Sequence, residues 1–305
     1  ARLDPKNYLY AYELGKAYYK ARRYEEARQA FEASATANPK FEQALYSLGF
    51  TWKALGDKGK ALDAFRRAVQ AKPDYGRAYY EIGKIQAARG ESSQAIASYN
   101  KAIQYEPTNA QAMRELAVIK ADGGDNSGAE ALFTRALGVT DDALTNYNMA
   151  SVKIKLGKGA EAVKYAEKAV AQSGQTALYQ YELGLAYESA GNSDGALAAY
   201  AKAASHDKKY VEPRLNLGSI YLDSGFTDKA LSYLEEAYAI DQKSFEVNNN
   251  LGKAYGKKGL FEKSVFHFEA ALASPRATRR SASTWRGPTS RRSRTTGPRA
   301  PTATS

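Results

Sequence analysis

The sequence predicts an all-α protein made of about eight stacked helix-turn-helix repeats, and three observations support this prediction. A dipeptide of the Leu-Gly type recurs along the 305-residue chain at intervals of 34 residues, with one interval of 33. Each interval holds two stretches with the apolar spacing of an amphipathic helix. Glycine separates these two stretches in nearly every interval. A fixed period of this size is the signature of a repeat architecture, in which each unit packs on its neighbours.

We count each repeat from the residue seven places before the small residue of the dipeptide. The starts are Tyr8, Glu42, Gly76, Ala110, Ala143, Ala177, Val211 and Phe245. Apolar positions 4, 7, 8 and 11 predict one face of a first helix, and positions 20, 24, 27 and 28 predict one face of a second. Small residues recur at positions 8, 20 and 27, and a large residue usually holds position 24. We therefore expect the helices to approach closely at the small residues.

The turn between the two predicted helices carries glycine at position 15. The glycines are Gly56, Gly90, Gly124, Gly157, Gly191, Gly225 and Gly259. Glycine just after a helical pattern is a helix-end signal, because it adopts a positive φ without steric cost. Proline marks the turn between successive repeats at Pro39, Pro73 and Pro107.

These positions resemble the pattern of the tetratricopeptide repeat (TPR) family. Repeat 1 shows it with Leu14, Gly15, Ala27, Phe31 and Pro39, and repeats 4 and 5 depart from it most. The resemblance implies antiparallel helix pairs wound into a right-handed superhelical solenoid with a concave groove. It also implies that peptides or partner proteins bind in that groove and that the protein is not an enzyme.

The two ends of the sequence differ from the repeats. Residues 1–7 are expected to close a preceding, truncated repeat, and residues 8–274 to form the solenoid of eight repeats. Residues 275–305 contain eight arginines and no acidic residue, which predicts a disordered basic tail of non-native origin. The alternative is a basic arm that binds nucleic acid or an anionic surface.

The composition excludes several function classes. The net charge is +11, but the chain before Arg276 has a balance of only +3, so the repeats carry no broad footprint for nucleic acid. Cysteine is absent, and no apolar run is long enough to span a membrane. No phosphate-binding loop, Ser-His-Asp spacing or metal-ligand pattern is present. We therefore expect neither catalytic residues, nor a cofactor, nor a bound metal.

The candidate partner-binding residues lie on the first helix of each repeat, mostly at positions 2, 5 and 9. They are Tyr12, Lys16, Tyr46, Phe50, Arg77, Tyr80, Lys84, Arg114, Tyr147 and Tyr181. Five tyrosines at position 5 form a tyrosine ladder (Tyr12, Tyr46, Tyr80, Tyr147 and Tyr181), and the neighbouring lysines and arginines favour an acidic or C-terminal partner segment. The alternative is that these tyrosines only pack the repeats together.

The leading hypothesis for function is a scaffold that binds protein or peptide partners. Two alternatives remain open: binding to nucleic acid or anionic surfaces through the tail, and a role as the accessory repeat region of a larger enzyme or envelope complex. A last helix without a cap also predicts exposed apolar residues at Val265, Phe268 and Leu272, and hence end-to-end self-association.

Overall fold

The computed structural model describes residues 7–173 and 176–274, and within these ranges it contains sixteen α-helices and no strand. The chain divides into two compact units, Ala1–His206 and Asp207–Ser305. The all-α helical-repeat fold predicted from the sequence is confirmed. Of the expected first segment, residues 1–7, the structure describes only Asn7, which caps the start of α1. The expected tail, residues 275–305, lies outside the described residues.

The first unit contains six helix pairs. In chain order the helices are α1 (Tyr8–Lys20), α2 (Tyr24–Ala37), α3 (Glu42–Ala54), α4 (Lys58–Ala71), α5 (Gly76–Ala88), α6 (Ser92–Tyr105), α7 (Ala110–Asp122), α8 (Asn126–Val139), α9 (Ala143–Lys155), α10 (Gly159–Ser173), α11 (Ala177–Ser189) and α12 (Ser193–His206). The first helix of each pair begins at the residue that starts the repeat in the sequence. The two helices of a pair pack on each other, and the second then packs on the first helix of the following pair.

The second unit contains two helix pairs built in the same way. Its helices are α13 (Val211–Asp223), α14 (Thr227–Ile240), α15 (Phe245–Lys257) and α16 (Phe261–Leu272). Leu222, Leu234 and Leu251 are buried in its core. The two pairs contact one another through α14 and α15, as consecutive pairs do in the first unit.

The turn inside each pair has the conformation that the glycines predicted. All seven glycines at position 15 have positive φ, between 70° and 86°. In the first repeat Arg22 takes this position with φ of 59°, the only positive φ of a residue other than glycine in the described chain. An L-residue in this conformation costs about 1–2 kcal/mol, so glycine is favoured wherever the turn recurs.

In most repeats, the two helices of a pair meet at one close contact. The small residue at position 8 of the first helix lies against the large side chain at position 24 of the second. A Cβ atom added to Gly15 would lie 2.7 Å from Phe31, and one added to Gly83 would lie 2.7 Å from Tyr99. These distances are shorter than any normal carbon contact, so the ring fills the space that the missing side chain leaves.

The prediction that position 4 is apolar is wrong for the last four repeats. The residues there are Asn146, Gln180, Arg214 and Asn248, and all four are buried. Hydrogen bonds offset part of their desolvation: Arg214 donates to the carbonyl of Tyr210, and Asn248 to the carbonyls of Gln242 and Ser244. Apolar periodicity alone could not reveal these partners, because they come from the turns that precede each first helix.

Lys153 is a further buried polar residue, at position 11 of the fifth repeat. It replaces the tyrosine at position 11, and its ammonium donates 2.7 Å to Glu130 Oε1 and also to Glu161. These carboxylates lie on α8 and α10, so the charged network ties three consecutive helices together. Two carboxylate partners make the burial of the lysine tolerable.

His267 is buried in the second unit and has a defined tautomer. Asn248 uses its amide nitrogen for two carbonyls, so its Oδ1 accepts from His267 Nδ1 at 2.9 Å. The ring also stacks on Tyr255, with centroids 5.4 Å apart. Burial lowers the pKa of His267, so the packed ring is neutral at neutral pH.

Replacing Gly83 by Ala tests the contact at position 8. The new methyl group would overlap the buried Tyr99 ring, so we expect the free energy of unfolding to fall by about 1–3 kcal/mol. Urea denaturation followed by circular dichroism gives this value.

Gly138→Ala is the matched control, because a Cβ atom at this helical position meets no atom within 4 Å. Here the substitution should raise stability by about 0.5–1 kcal/mol through helix propensity. Equal effects of the two substitutions would contradict the close-contact account.

Candidate functional site

The tyrosine ladder is anchored on the second helices of its own repeats. In four repeats the ring at position 5 packs on the ring at position 24. The centroid distances are 5.8 Å for Tyr12 and Phe31, 5.5 Å for Tyr46 and Phe65, 6.1 Å for Tyr80 and Tyr99, and 5.5 Å for Tyr181 and Tyr200. Because the ring at position 24 is itself seated on a small residue, the orientation of each tyrosine is fixed by the contact that closes the pair.

Tyr147 differs from the other members of the ladder. Its repeat has Ala166 at position 24, so Tyr147 lacks the contact with a position-24 ring that the other four tyrosines make. Its ring instead lies 5.2 Å from that of Tyr179, at the start of the next repeat. The ladder therefore has one member that is held by the neighbouring repeat.

Tyr46 and Tyr80, which are half-buried, keep their protons at neutral pH. Burial raises the pKa of Tyr80 to about 12 and raises the pKa of Tyr46 as well. Neighbouring carboxylates, among them Glu81, act in the same direction. Each phenol can therefore donate a hydrogen bond while its ring offers apolar surface.

Four predicted residues line one open cleft of about 740 Å³ in the first unit: Tyr46, Arg77, Tyr80 and Arg114. Arg77 stands at its edge, with 71% of its side chain exposed. A smaller cleft of about 240 Å³ is lined by Lys16, Tyr46 and Phe50. Since Tyr46 lines both, the structure brings six of the ten predicted residues to two neighbouring clefts.

The larger cleft has polar walls that the sequence did not predict. They come mainly from the turn between α6 and α7 and from the start of α7, and they include Thr108, Asn109 and Gln111. Thr140 and Asp142 contribute from the turn that follows α8. The inter-repeat turns fall at a constant place in the period, so their contribution could have been inferred from the repeat register.

The basic character expected for this surface is balanced by carboxylates. Each of the four predicted cations lies near an acidic side chain: Lys16 at 2.8 Å from Glu13, Arg77 at 3.5 Å from Glu106, Lys84 at 3.9 Å from Glu81, and Arg114 at 3.4 Å from Asp142. Ion pairs cancel most of the field that would attract an anion. The expectation of an acidic partner therefore finds no support in these contacts.

Arg114 is only weakly hydrogen-bonded within the cleft. Its Nη1 lies 3.4 Å from both Asp142 Oδ2 and Thr145 Oγ1, which are long hydrogen bonds. Its Nε is buried and has no hydrogen-bond partner among the described residues. Since the buried Nε has almost no accessible surface, Nη1 is the donor that a ligand in the cleft could reach.

Tyr147 lines a separate small cleft of about 190 Å³, together with Asn148, Ser151 and Lys155. Glu182 of the next repeat lies against this region and is only 5% exposed. Burial raises the pKa of Glu182 to about 7, although a hydrogen bond from Ser151 and the charge of Lys155 oppose the rise. The apolar pattern of the repeat does not indicate that Glu182 is buried, because position 6 is not one of its apolar positions.

Three further expectations concern the apolar surface of α16, membrane-spanning helices and metal ligands. Val265, Phe268 and Leu272 are exposed on α16, as predicted for a last helix, whereas self-association stays a prediction. Among the described residues, no helix combines the length and apolar character needed to cross a membrane. The same residues hold no cluster of three potential metal ligands.

The paired helices, the glycine turns and the cleft on the first helices define a helical-repeat scaffold. Two family models, both described as tetratricopeptide repeat, match it. One matches residues 12–76, 53–104, 76–143 and 147–209, and the other matches residues 211–244 and 245–277. These matches span most of the chain, so the protein belongs to the tetratricopeptide repeat family. No curated protein sequence matches it significantly.

Solved structures show the same fold. The chain is similar to YrrB, described as a TPR protein with an unusual peptide-binding site, at 21% identity over 65% of this chain and 99% of that chain, with a TM-score of 0.56. It is similar to the C-terminal part of a TPR protein from Cytophaga hutchinsonii at 14% identity over 79% and 99% of the two chains, with a TM-score of 0.63. PilF from Pseudomonas aeruginosa matches at 18% identity over 68% and 94%, with a TM-score of 0.57.

Glu182→Gln should change how stability depends on pH. The Glu182 carboxyl has a pKa of about 7 when folded and 4.5 as a free group, so the folded state binds more protons between these pH values. Stability contributed by this carboxyl is therefore present below pH 4.5 and lost as the pH rises to 7.

Glutamine cannot titrate, so the variant should be more stable than the unaltered protein at pH 8, by on the order of 3 kcal/mol. The two proteins should converge near pH 4. Urea denaturation at several pH values measures the difference. A difference that stays constant from pH 4 to pH 8 would be inconsistent with a raised pKa.

Proposed function

We propose that the first unit binds an extended peptide segment of a partner protein in the cleft of about 740 Å³ between Tyr46 and Asp142. The observation that carries the proposal is the set of side chains at this cleft: two tyrosine rings fixed by packing, the Gln111 amide, and the guanidinium groups of Arg77 and Arg114. TPR proteins are typically scaffolds without catalytic activity, and the cleft holds no arrangement of nucleophile and base. The peptide-binding site described for YrrB makes a peptide the first class of partner to test.

The cleft chemistry fits a peptide backbone better than a highly charged ligand. Gln111 offers an amide group that can pair with backbone N–H and C=O, whereas the Asn109 side chain already caps α7 and donates to Glu106. Tyr46 and Tyr80 offer ring faces that are already fixed by packing, so little side-chain entropy is lost on binding. The balanced ion pairs at the walls argue against a partner chosen by charge alone.

Arg114 provides a specific hydrogen bond for such a segment. Its Nη1 makes only two long hydrogen bonds, each of 3.4 Å, to Asp142 and Thr145, so a peptide carbonyl that enters the cleft could accept from this guanidinium. Arg77 is exposed at the edge, where its guanidinium can reach a side chain or carbonyl of the partner. Both residues act through hydrogen bonds that a neutral peptide carbonyl can accept.

A library of random dodecapeptides displayed on phage, selected on the full chain, tests this function. Peptides that are enriched should bind as synthetic molecules, and Arg77→Ala should weaken them about 5- to 20-fold, which corresponds to the loss of one or two hydrogen bonds. Fluorescence anisotropy gives the affinities. Arg77 is mostly exposed, so the variant is expected to fold normally.

Arg66→Ala provides the matched control, because Arg66 is also an exposed arginine that lies near an acidic residue, at 3.9 Å from Asp63, but it does not line the cleft. This variant should bind the selected peptides as tightly as the unaltered protein. Failure to enrich any peptide, or equal affinities for both arginine variants, would rule out the proposed cleft.

A further inference from the structure

The cleft of about 240 Å³ in the first unit has mainly aromatic walls. Four rings from three helices line it: Tyr19 on α1, Phe31 on α2, and Tyr46 and Phe50 on α3. Lys16, Lys20 and Ser47 complete the lining, and no carboxylate is among the described residues that line this cleft. The smaller cleft therefore combines apolar area with positive charge, whereas the larger cleft combines polar side chains with balanced charge.

The rings of the smaller cleft are held in place by contacts within the protein. The Tyr46 and Phe50 rings lie 5.0 Å apart, and each lies 5.5 Å from the Phe65 ring. Tyr19 packs on Tyr24, with ring centroids 5.3 Å apart. A ligand would therefore meet preformed apolar walls, and binding would cost little side-chain entropy.

The corresponding place between repeats 2 and 3 is occupied by an ion pair. Position 12 of repeat 1 is Tyr19, and position 6 of repeat 2 is Ser47. One period later these positions are Lys53 and Glu81, whose charged groups are joined at 2.6 Å. Since the repeats keep the same register, replacing this ion pair by Tyr19 and Ser47 leaves an open apolar cleft between repeats 1 and 2.

The size and the lining of the cleft fit one aromatic side chain. An apolar cavity of about 150 Å³ accommodates a benzene ring. The cleft of about 240 Å³ therefore has room for the ring of phenylalanine, tyrosine or tryptophan. The wall rings can contact such a guest edge to face, which their charge distribution favours. Aromatic walls also attract cations, but Lys16 and Lys20 would repel a further ammonium or guanidinium group.

The two lysines at the cleft differ in their ion pairs. Lys16 lies 2.8 Å from Glu13, which balances its charge. Lys20 is exposed in the last turn of α1 and forms no ion pair with any described residue. A carboxylate that lies beside an aromatic guest could therefore pair with the Lys20 ammonium at the edge of the cleft.

We infer that this cleft receives an aromatic side chain of the bound peptide, and that an acidic residue next to it in the peptide pairs with Lys20. Tyr46 lines both clefts, so a peptide that crosses the Tyr46 ring reaches the two of them. The inference rests on the proposed peptide-binding function and adds a determinant of partner sequence. The larger cleft contacts the peptide backbone, and the smaller cleft selects the aromatic residue.

Random dodecapeptides displayed on phage and selected on the full chain test the inference. Enriched peptides should carry phenylalanine, tyrosine or tryptophan beside aspartate or glutamate. Replacing the aromatic residue of a synthetic peptide by alanine should weaken binding at least 10-fold in fluorescence anisotropy, because the buried apolar area is lost. Replacing the acidic residue by its amide should weaken binding about 2- to 5-fold, as expected for an exposed ion pair.

Ser47→Leu fills the cleft from within the protein. Position 6 holds a larger side chain in each later repeat, so this variant is expected to fold, and circular dichroism checks its helix content. On Ser47→Leu the aromatic peptide and its alanine form should bind equally. Ser232→Leu is the matched control, because Ser232 is an exposed serine on α14 that lines neither cleft. This control should leave the ratio of the two affinities unchanged.

Lys20→Gln tests the charge separately from the apolar walls. Lys20 is exposed, so this variant is expected to keep the fold. On Lys20→Gln the acidic peptide and its amide form should bind equally, while replacement of the aromatic residue by alanine should still weaken binding at least 10-fold.

The outcomes separate this inference from the proposed function. Enriched peptides without an aromatic residue would overturn the inference alone, and so would peptides with lysine or arginine in its place. An aromatic preference that persists on Ser47→Leu, or an acidic preference that persists on Lys20→Gln, would also overturn it, while weaker binding to Arg77→Ala would still support the proposed function. A selection that enriches no peptide would overturn the proposed function, and the inference with it.

Discussion

The contact between a small residue on the first helix and a large side chain on the second is the constraint on which the rest of the structure depends. It sets the distance between the helices of a pair, and the repeated register carries that distance along each unit. The same ring also supports the tyrosine at position 5 in four repeats. Packing and the candidate binding surface therefore share one set of residues.

This sharing has a consequence for the surface. The tyrosines at position 5 are already held in place by the rings at position 24. They therefore lose little conformational entropy when a ligand contacts them, which favours binding. Tyr46 and Tyr80 pack their own repeats and also line the proposed cleft, so replacing either ring would alter stability and any binding together. Residues such as Arg77, which are exposed and make few contacts, therefore separate binding from stability better than the tyrosines do.

Much of the fold could be predicted from sequence because a repeat presents the same pattern several times. The helix starts and the positive φ of the position-15 glycines follow directly from the period. The buried polar residues could not be predicted, since Asn146 and Lys153 depend on partners contributed by turns or neighbouring helices. The charge balance of the cleft was missed for the same reason: Glu106 and Asp142 precede the first helices of the following repeats. The burial of Glu182 was missed as well, because position 6 is not one of the apolar positions of the repeat.

The most direct test of the central claim is a crystal structure of the full chain bound to one selected peptide. The account predicts an extended peptide over Tyr46, Tyr80 and Arg114, with the rings at positions 5 and 24 unmoved and the helix spacing of the repeats unchanged. A peptide bound elsewhere on the chain, or tyrosine rings that leave their partners to admit it, would contradict the account.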